Sequence, residues 1–206
     1  MTDIDIIEGA SDADIARFLA GYLSDCLAKN DHPVAISVPG GSTPFPILEA
    51  LKGADLDWSR ITVWPGDDRI VPEDHAASNT GKIRALLEPV GATIVSLSVM
   101  EQVPRFALVW LGMGGDGHIA SLFPNTDPKM DDPAPLRRLT PDPLPPEAPF
   151  DRITLTIPAL LDSDHLMFVI RGDAKRAVFD EAARGRNDLP VARLLGAAAQ
   201  KVTCFT

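Results

Sequence analysis

The sequence predicts an α/β fold in which a mainly parallel, Rossmann-like sheet carries helices on both of its faces. Apolar stretches of strand length alternate along the chain with stretches whose apolar residues recur at helical spacing. Several strand-like stretches are apolar throughout, which is typical of strands buried on both faces of a parallel sheet. Polar loops that contain glycine follow directly after several of these strands. Open α/β sheets bind ligands at the carboxyl ends of their strands, so these loops indicate the binding edge.

The first half of the chain contains three helical patterns, each separated from the next by an apolar strand-like run. Ser11 and Asp14 form a capping-box pattern in front of the first helix. Thr43 is expected to cap the second helix, with Pro44 in its first turn, and Pro89 ends the third. In chain order we predict a helix from Ser11, a strand at 34–38, a helix from Thr43, a strand at 61–64, a helix from Ser78 or Asn79, and a strand at 93–97.

The second half opens on the clearest buried strand, a continuous apolar run at 106–113 that ends in glycines. Nine prolines lie between residues 124 and 149, which excludes a long helix or a central strand there. We expect an ordered surface excursion at about 124–149 within a single domain that spans residues 1–206. Beyond it we predict strands at 152–157 and 165–170, helices at 174–184 and 189–195, and a strand at 202–205.

The composition of the chain argues against two classes of binding partner, nucleic acids and membranes. The chain has 29 acidic against 19 basic residues, a net charge of −10, which repels nucleic acid and anionic membranes. No apolar run is long enough to span a membrane, and the N-terminus lacks a signal-peptide pattern. Cys26 and Cys204 are expected to be two buried free thiols, for which a reducing cytoplasm is the simplest location. We therefore expect a cytoplasmic protein, a monomer or weak homo-oligomer, whose partner is a small molecule.

The loop after the strand at 34–38 has the composition of an anion site. Gly40 and Gly41 let the backbone approach a ligand, and Ser42 and Thr43 add hydroxyl groups at the start of a helix. The alternative is an ordinary strand-to-helix turn capped by Thr43.

The loop after the strand at 61–64 carries a concentrated group of charges. Arg69 offers a two-pronged donor for phosphate, and Asp67 or Asp68 could orient it or bind a sugar hydroxyl. The alternative is a solvated charged turn.

The glycine-rich loop after the strand at 106–113 admits two interpretations. The spacing of Gly112, Gly114 and Gly117 matches a dinucleotide-binding pattern, but Pro124 follows too soon for the helix that this pattern requires. In the favoured interpretation the glycines present His118, which can accept a proton near neutral pH. Asp116 would then orient the imidazole, and no second His or Cys lies at the spacing of a metal site.

The loop after the strand at 165–170 places Lys175 just inside a predicted helix start. A lysine there can meet an anion that the helix terminus already attracts, whereas an ordinary exposed lysine is the alternative. The sequence also lacks both a serine-hydrolase elbow and a phosphate-binding loop of the NTPase type.

Taken together, four sequence blocks resemble the 6-phosphogluconolactonase family. They are SVPGGSTP, WPGDDRIVPEDHAASN, LGMGGDGHIASLFP and RITLTIPALL…VIRGDAKRAVF, and they occur in this order between Val34 and Phe179. The resemblance implies a fold similar to those of glucosamine-6-phosphate deaminase and ribose-5-phosphate isomerase. It also implies hydrolysis of 6-phospho-D-glucono-1,5-lactone to 6-phosphogluconate in the oxidative pentose phosphate pathway, without a cofactor or metal.

The same resemblance assigns roles to individual residues. His118 matches the general base, and Arg69 and Lys175 match the cations that bind phosphate. Asp67 and Asp116 match acidic positions of the motifs. The substrate-cradling loops are matched by Gly40, Gly41, Ser42, Thr43 and Gly114.

The chain departs from the family pattern at three positions beside these loops. Pro39 stands where serine is commoner, Asp68 where glutamate is usual, and Thr80 where an aromatic residue is common. Two alternative functions remain at this stage, a sugar-phosphate isomerase or deaminase of the same fold and a non-catalytic sugar-phosphate-binding domain. SLFP after His118 and the arginine at position 69 favour the lactonase over a deaminase.

Overall fold

The computed structural model describes residues 4–144, 146 and 148–206, and the two sheets within them contain the following strands. In chain order they are β1 (Ile4–Ile7), β2 (Val34–Val38), β3 (Ile61–Pro65), β4 (Asp67–Arg69), β5 (Thr93–Ile94), β6 (Leu108–Leu111), β7 (Leu136–Leu139), β8 (Arg152–Leu155), β9 (His165–Val169) and β10 (Lys201–Phe205).

All the helices of the same residues except α5 begin where the sequence supplies a capping side chain or a proline. Ser11 and Asp14 form the predicted capping box, and the hydroxyl of Ser78 accepts a hydrogen bond from the Gly81 amide. The helices are α1 (Asp12–Lys29), α2 (Pro44–Leu51), α3 (Asn79–Leu87), α4 (Ile157–Leu161), α5 (Asp173–Ala183) and α6 (Pro190–Ala197). Thr43 does not cap α2 as predicted, because its backbone is already helical and its side chain makes no capping bond.

The main sheet is parallel, as predicted. Its strands lie in the order β1-β10-β9-β6-β2-β3-β5, and each neighbouring pair is parallel. From β2 the chain moves outward to β3 and β5, and then returns to the other side of β2 as β6. The boundary between β2 and β6 is therefore a switch point, where α/β sheets form a ligand-binding crevice.

Helices cover both faces of this sheet, which also confirms the prediction. Along β6, Val109 and Leu111 pack into one hydrophobic cluster and Leu108 and Trp110 into the other, as the alternation of side chains requires. The first cluster includes apolar residues of α4, α5 and α6, and the second includes those of α1, α2 and α3.

A second, antiparallel sheet was not predicted. Its order is β4-β8-β7, so part of the charged loop after β3 is a short strand. The predicted strand at 152–157 belongs to this small sheet as β8, and α4 begins where that prediction still placed a strand. The proline-rich excursion supplies β7 from a proline-free stretch, and β7 lies at the sheet edge, where flanking prolines are tolerated.

Smaller differences concern the ends of elements and the thiols. Strand β1 was not predicted from the sequence, and β5 and β6 are shorter than the predicted strands. Both cysteines are free, but only Cys204 is buried, because Cys26 lies at the half-exposed edge of α1. No helix in the described part of the chain is both long and apolar enough to cross a lipid bilayer.

Candidate active site

A cavity of about 500 Å³ lies at the carboxyl ends of the strands around the switch point. The loops that follow β2, β6 and β9 reach it together with the strand β4, because parallel strands end at one edge of the sheet. The predicted site residues that line it are Gly40, Gly41, Ser42, Thr43, Asp67, Arg69, Gly114, His118 and Lys175. Asp116 does not line the cavity itself but contacts His118, which does.

His118 and Asp116 form a hydrogen-bonded pair. The imidazole Nδ1 lies 2.6 Å from Asp116 Oδ1, and the His118 amide donates to the same oxygen at 3.2 Å. Burial alone would raise the pKa of the Asp116 carboxyl, but the charge of His118 and these bonds lower it below its ordinary value. A carboxylate at Nδ1 holds the proton there and leaves Nε2 as the acceptor. Nε2 itself has no hydrogen-bond partner among the described residues.

The glycines of this loop make room for the imidazole. A Cβ on Gly114 would overlap the His118 ring and the Asp116 carboxylate. Gly117 has a positive φ of 79°, and a Cβ there would overlap Leu189. No helix follows them, since residues 112–123 form turns and isolated bridges. The loop therefore lacks the helix N-terminus on which dinucleotide binding by this glycine pattern depends.

Two residues of the loop that sequence reasoning did not single out also hold it in place. The Phe123 ring lies 4.7 Å from the His118 ring, centroid to centroid. Ser121 is buried, its hydroxyl donates to Asp67 Oδ2, and its amide donates to Thr154 Oγ1 at 3.2 Å. The histidine loop is thereby tied to the small sheet. The only sequence signal for either residue was its place in the SLFP block.

Arg69 is held by one end of its guanidinium. Its Nη1 donates to the Ala77 carbonyl at 3.1 Å and to Asn79 Oδ1 at 2.8 Å, while its Nε is buried without a partner among the described residues. Asn79 also donates to the Asp67 carbonyl and fills the space where a Cβ on Gly40 would lie. Asn79, a residue that the sequence marked only as a helix start, thus joins β4 to the glycine turn.

Asp67 is the acidic group on the wall of the cavity. Burial raises the pKa of its carboxyl, against the opposing effects of the Ser121 hydroxyl and of the Arg69 and Arg152 charges. A carboxyl with a raised pKa that already accepts one hydroxyl is suited to bind a second, such as that of a sugar.

Arg152 is a second arginine of the cavity wall, and sequence reasoning missed it. It lies on β8 directly opposite Arg69 on β4, and it is only 3% exposed. Burial, reinforced by the charge of Arg69, lowers the pKa of its guanidinium. The sequence placed Arg152 at the start of an ordinary strand, because nothing local indicates that β8 pairs with β4.

Two further cations line the cavity from the loop after β9. Lys175 is exposed in the first turn of α5, and its ammonium makes no ion pair with a described residue. Arg171 instead pairs with Asp12 at the start of α1, at 3.0 Å. The site therefore gathers four cations in a chain whose net charge is −10.

Comparison with known proteins places the chain in a family. The family described as glucosamine-6-phosphate isomerases/6-phosphogluconolactonase matches residues 9–204. This chain belongs to that family.

Individual relatives agree with this assignment. The 6-phosphogluconolactonase of Neisseria meningitidis is 34% identical over 201 residues, covering 85% of this chain and 86% of that protein. The 6-phosphogluconolactonase of Pseudomonas aeruginosa is 37% identical over 190 residues, covering 82% and 79%. The crystal structure of a 6-phosphogluconolactonase from Shewanella baltica has a TM-score of 0.83 at 26% identity, covering 100% of this chain and 97% of that one.

Two of the departures from the family pattern, Asp68 and Thr80, contact each other. The Thr80 hydroxyl donates to Asp68 Oδ2 at 2.6 Å, and the Thr80 amide donates to the same oxygen at 2.9 Å. The two substitutions therefore form one local arrangement at the start of α3, on the side of β4 that faces away from the cavity.

Proposed function

We propose that this protein hydrolyses 6-phospho-D-glucono-1,5-lactone to 6-phospho-D-gluconate. The observation that carries the proposal is the His118–Asp116 pair, at 2.6 Å, on a cavity whose wall also holds Arg69 and Lys175. A base beside a cluster of cations suits a substrate that joins a reactive carbonyl to a phosphate. Relatives named 6-phosphogluconolactonase, at 34% and 37% identity, support the same reaction.

In the proposed reaction the phosphate is bound by Arg69 and Lys175, together with the amides of the glycine turn at Ser42 and Thr43. Binding at this distant group positions the lactone carbonyl beside the base. Nε2 of His118 takes a proton from water as the water oxygen attacks C1. The ring C1–O bond then breaks, and the proton returns to the departing ring oxygen to give the open-chain acid.

Asp116 stabilises the charge that His118 acquires in this step. The carboxylate is already hydrogen bonded to Nδ1, so the imidazolium forms without rearrangement. The Phe123 ring restricts the imidazole on one side. A lactone is an activated ester, so the reaction requires no covalent nucleophile.

The oxyanion requires donors from the glycine loop, and the structure narrows the candidates. The amides of Gly114, Gly117 and His118 already donate within the loop. We propose that one of the loop's remaining backbone amides donates to the oxyanion.

The test is a lactone-hydrolysis assay with freshly prepared 6-phosphogluconolactone, followed against the spontaneous rate with and without a chelator. We expect acceleration that the chelator leaves unchanged, because His118 rather than a metal activates the water. His118→Ala should lower kcat by about 10²- to 10⁴-fold, the usual contribution of a general base, with little change in substrate binding.

The matched control is His32→Ala, since His32 is exposed and lies before β2, at the edge of the sheet opposite the site. This variant should keep the wild-type rate. An absence of acceleration by the wild-type protein would refute the proposed function, and near-normal turnover by His118→Ala would refute the assignment of the base.

A further inference from the structure

Two arginines face the cavity from adjacent strands. Arg69 and Arg152 are direct partners in the antiparallel pair of β4 and β8, so both side chains lie on the same face of the small sheet. Both line the cavity. Like charges placed opposite each other destabilise a sheet unless a group of opposite charge compensates them.

The hydrogen-bonding capacity of this pair is largely unfilled. A guanidinium carries five N–H groups. Arg152 is only 3% exposed, and its single bond to a described residue runs from Nη2 to the Ala148 carbonyl at 2.8 Å. The Nε atoms of Arg152 and Arg69 are both buried without a partner among the described residues. Buried donors of this kind are costly when unmet, which indicates a ligand that supplies acceptors.

The carboxylates nearby do not neutralise the pair. Asp67 shares the same face of the small sheet, but it accepts the Ser121 hydroxyl and forms no ion pair with either arginine. Asp68 points to the opposite side, where helix α3 occupies its oxygens. Among the described residues, two positive charges therefore face the cavity from this wall, with one carboxyl of raised pKa beside them on β4.

We propose that Arg152 and Arg69 together bind the substrate phosphate, and that Arg152 makes the site selective for a phosphorylated lactone. This inference rests on the proposed function, and it adds a residue to which no role had been assigned. A phosphate monoester carries close to two negative charges and three terminal oxygens, which match two adjacent guanidinium groups in charge and in number of acceptors.

The first test compares two substrates, 6-phosphogluconolactone and unphosphorylated glucono-1,5-lactone. Arg152→Gln should lower kcat/KM for the phosphorylated lactone by about 10- to 100-fold, the usual effect of removing a charged hydrogen-bonding partner. It should change kcat/KM for the unphosphorylated lactone by less than about threefold, because that substrate has no group for Arg152 to bind. Arg152→Lys should recover part of the loss, since lysine keeps the positive charge but lacks the planar guanidinium that donates two parallel hydrogen bonds.

The matched control is Arg138→Gln, since Arg138 is an exposed arginine on β7 that does not line the cavity. This variant should behave as wild type toward both lactones. An equal loss on both lactones by Arg152→Gln would overturn the proposal, because Arg152 would then act on the fold or on the lactone end.

The second test uses inorganic phosphate and thermal unfolding, and does not depend on catalysis. Phosphate that binds only the folded protein raises its Tm. The rise should occur in wild type and Arg138→Gln and be markedly smaller in Arg152→Gln, in which Arg69 and Lys175 remain. The Tm of Arg152→Gln without phosphate should not fall below that of wild type. An undiminished rise in Arg152→Gln would overturn the role of Arg152. Lack of lactonase activity in wild type would instead overturn the proposed function, while the phosphate result would still decide whether Arg152 binds the anion.

Discussion

Both faces of strand β4 carry charged side chains, but the two faces differ in how fully the protein satisfies their hydrogen-bonding groups. On the outer face, Asp68 is buried and accepts five hydrogen bonds, from the amides of Arg69, Asn79 and Thr80 and from the hydroxyls of Ser78 and Thr80. On the cavity face, Arg69 keeps a buried Nε without a partner among the described residues. On the outer face of β4 the hydrogen-bonding capacity of the charged side chain is thus filled by the protein, whereas on the cavity face part of it is unfilled. These are called the saturated face and the open face below.

We propose that this difference separates residues that stabilise the structure from residues that bind a ligand. The start of α3 needs acceptors for its free amides, and Asp68 supplies them from the neighbouring strand. Among the described residues, the guanidinium groups of Arg69 and Arg152 meet only three acceptors, and their buried Nε atoms meet none. Both faces carry charged side chains, and hydrogen-bond saturation is the feature that distinguishes Asp68 from Arg69.

The largest effect on the open face is expected from Arg69→Ala. Loss of the guanidinium should lower kcat/KM for the phosphorylated lactone by about 10²- to 10³-fold, since truncating one partner of a charged pair costs about 2–5 kcal/mol. The free energy of unfolding should fall by about 2 kcal/mol or less, because only two hydrogen bonds to the protein are lost, each contributing about 1 kcal/mol.

Steady-state kinetics and urea denaturation of the same preparation check both parts of this prediction. Arg69→Lys serves as the matched variant and should lie between alanine and wild type in kcat/KM. A large loss of stability with a small loss of activity would place Arg69 among the saturated residues and remove the contrast between the two faces.

On the saturated face, a substitution at Asp68 should lower stability and leave substrate binding unchanged, the reverse of the result expected for Arg69. Asp68→Ala leaves the amides of Asn79 and Thr80 buried without acceptors, which should lower the free energy of unfolding by about 3 kcal/mol. The KM of the folded fraction should stay near wild type. Urea denaturation checks the stability, with Asp74→Ala as control because Asp74 is exposed. A raised KM with unchanged stability would contradict the assignment of Asp68 to the structure.

The centre of the main sheet was predictable from the sequence because its strands are buried on both faces, and burial of that kind leaves a local apolar pattern, which the edge strand β1 lacks. The small sheet was not. β4 is a three-residue charged strand and β7 lies among prolines, so neither carries a strand pattern. Their pairing with β8 depends on contacts between distant parts of the chain.

In the candidate site, too, some residues could be identified from local sequence and others only from contacts between distant parts of the chain. His118 was identified from its own loop, in which glycines and an acid stand beside it. Arg152 was missed because its significance arises from facing Arg69, which is distant in sequence, across two strands. The saturation of Asp68 likewise depends on α3, and local sequence cannot distinguish it from its neighbour Asp67.

The buried His165 is a further residue whose polar group the fold has paired, and pH provides a test with a smaller effect. His165 is buried on β9, its Nε2 lies 2.9 Å from Thr203 Oγ1, and burial, aided by the charge of Lys201, lowers its pKa to about 4. The unfolded chain takes up this proton near the ordinary value of 6.5, whereas the folded chain resists it until about 4. The stability that a neutral His165 contributes is therefore complete above 6.5 and is lost as the pH falls toward 4.

Between pH 7 and pH 5 this difference should cost the wild-type protein about 2 kcal/mol of unfolding free energy, because each pH unit below 6.5 contributes about 1.4 kcal/mol. Urea denaturation at the two pH values measures the loss, and His165→Gln should reduce it. If the unfolding free energies of His165→Gln and wild type depended equally on pH, His165 would not be held neutral by the fold. The contrast between saturated and open polar groups would then apply only to the two faces of β4.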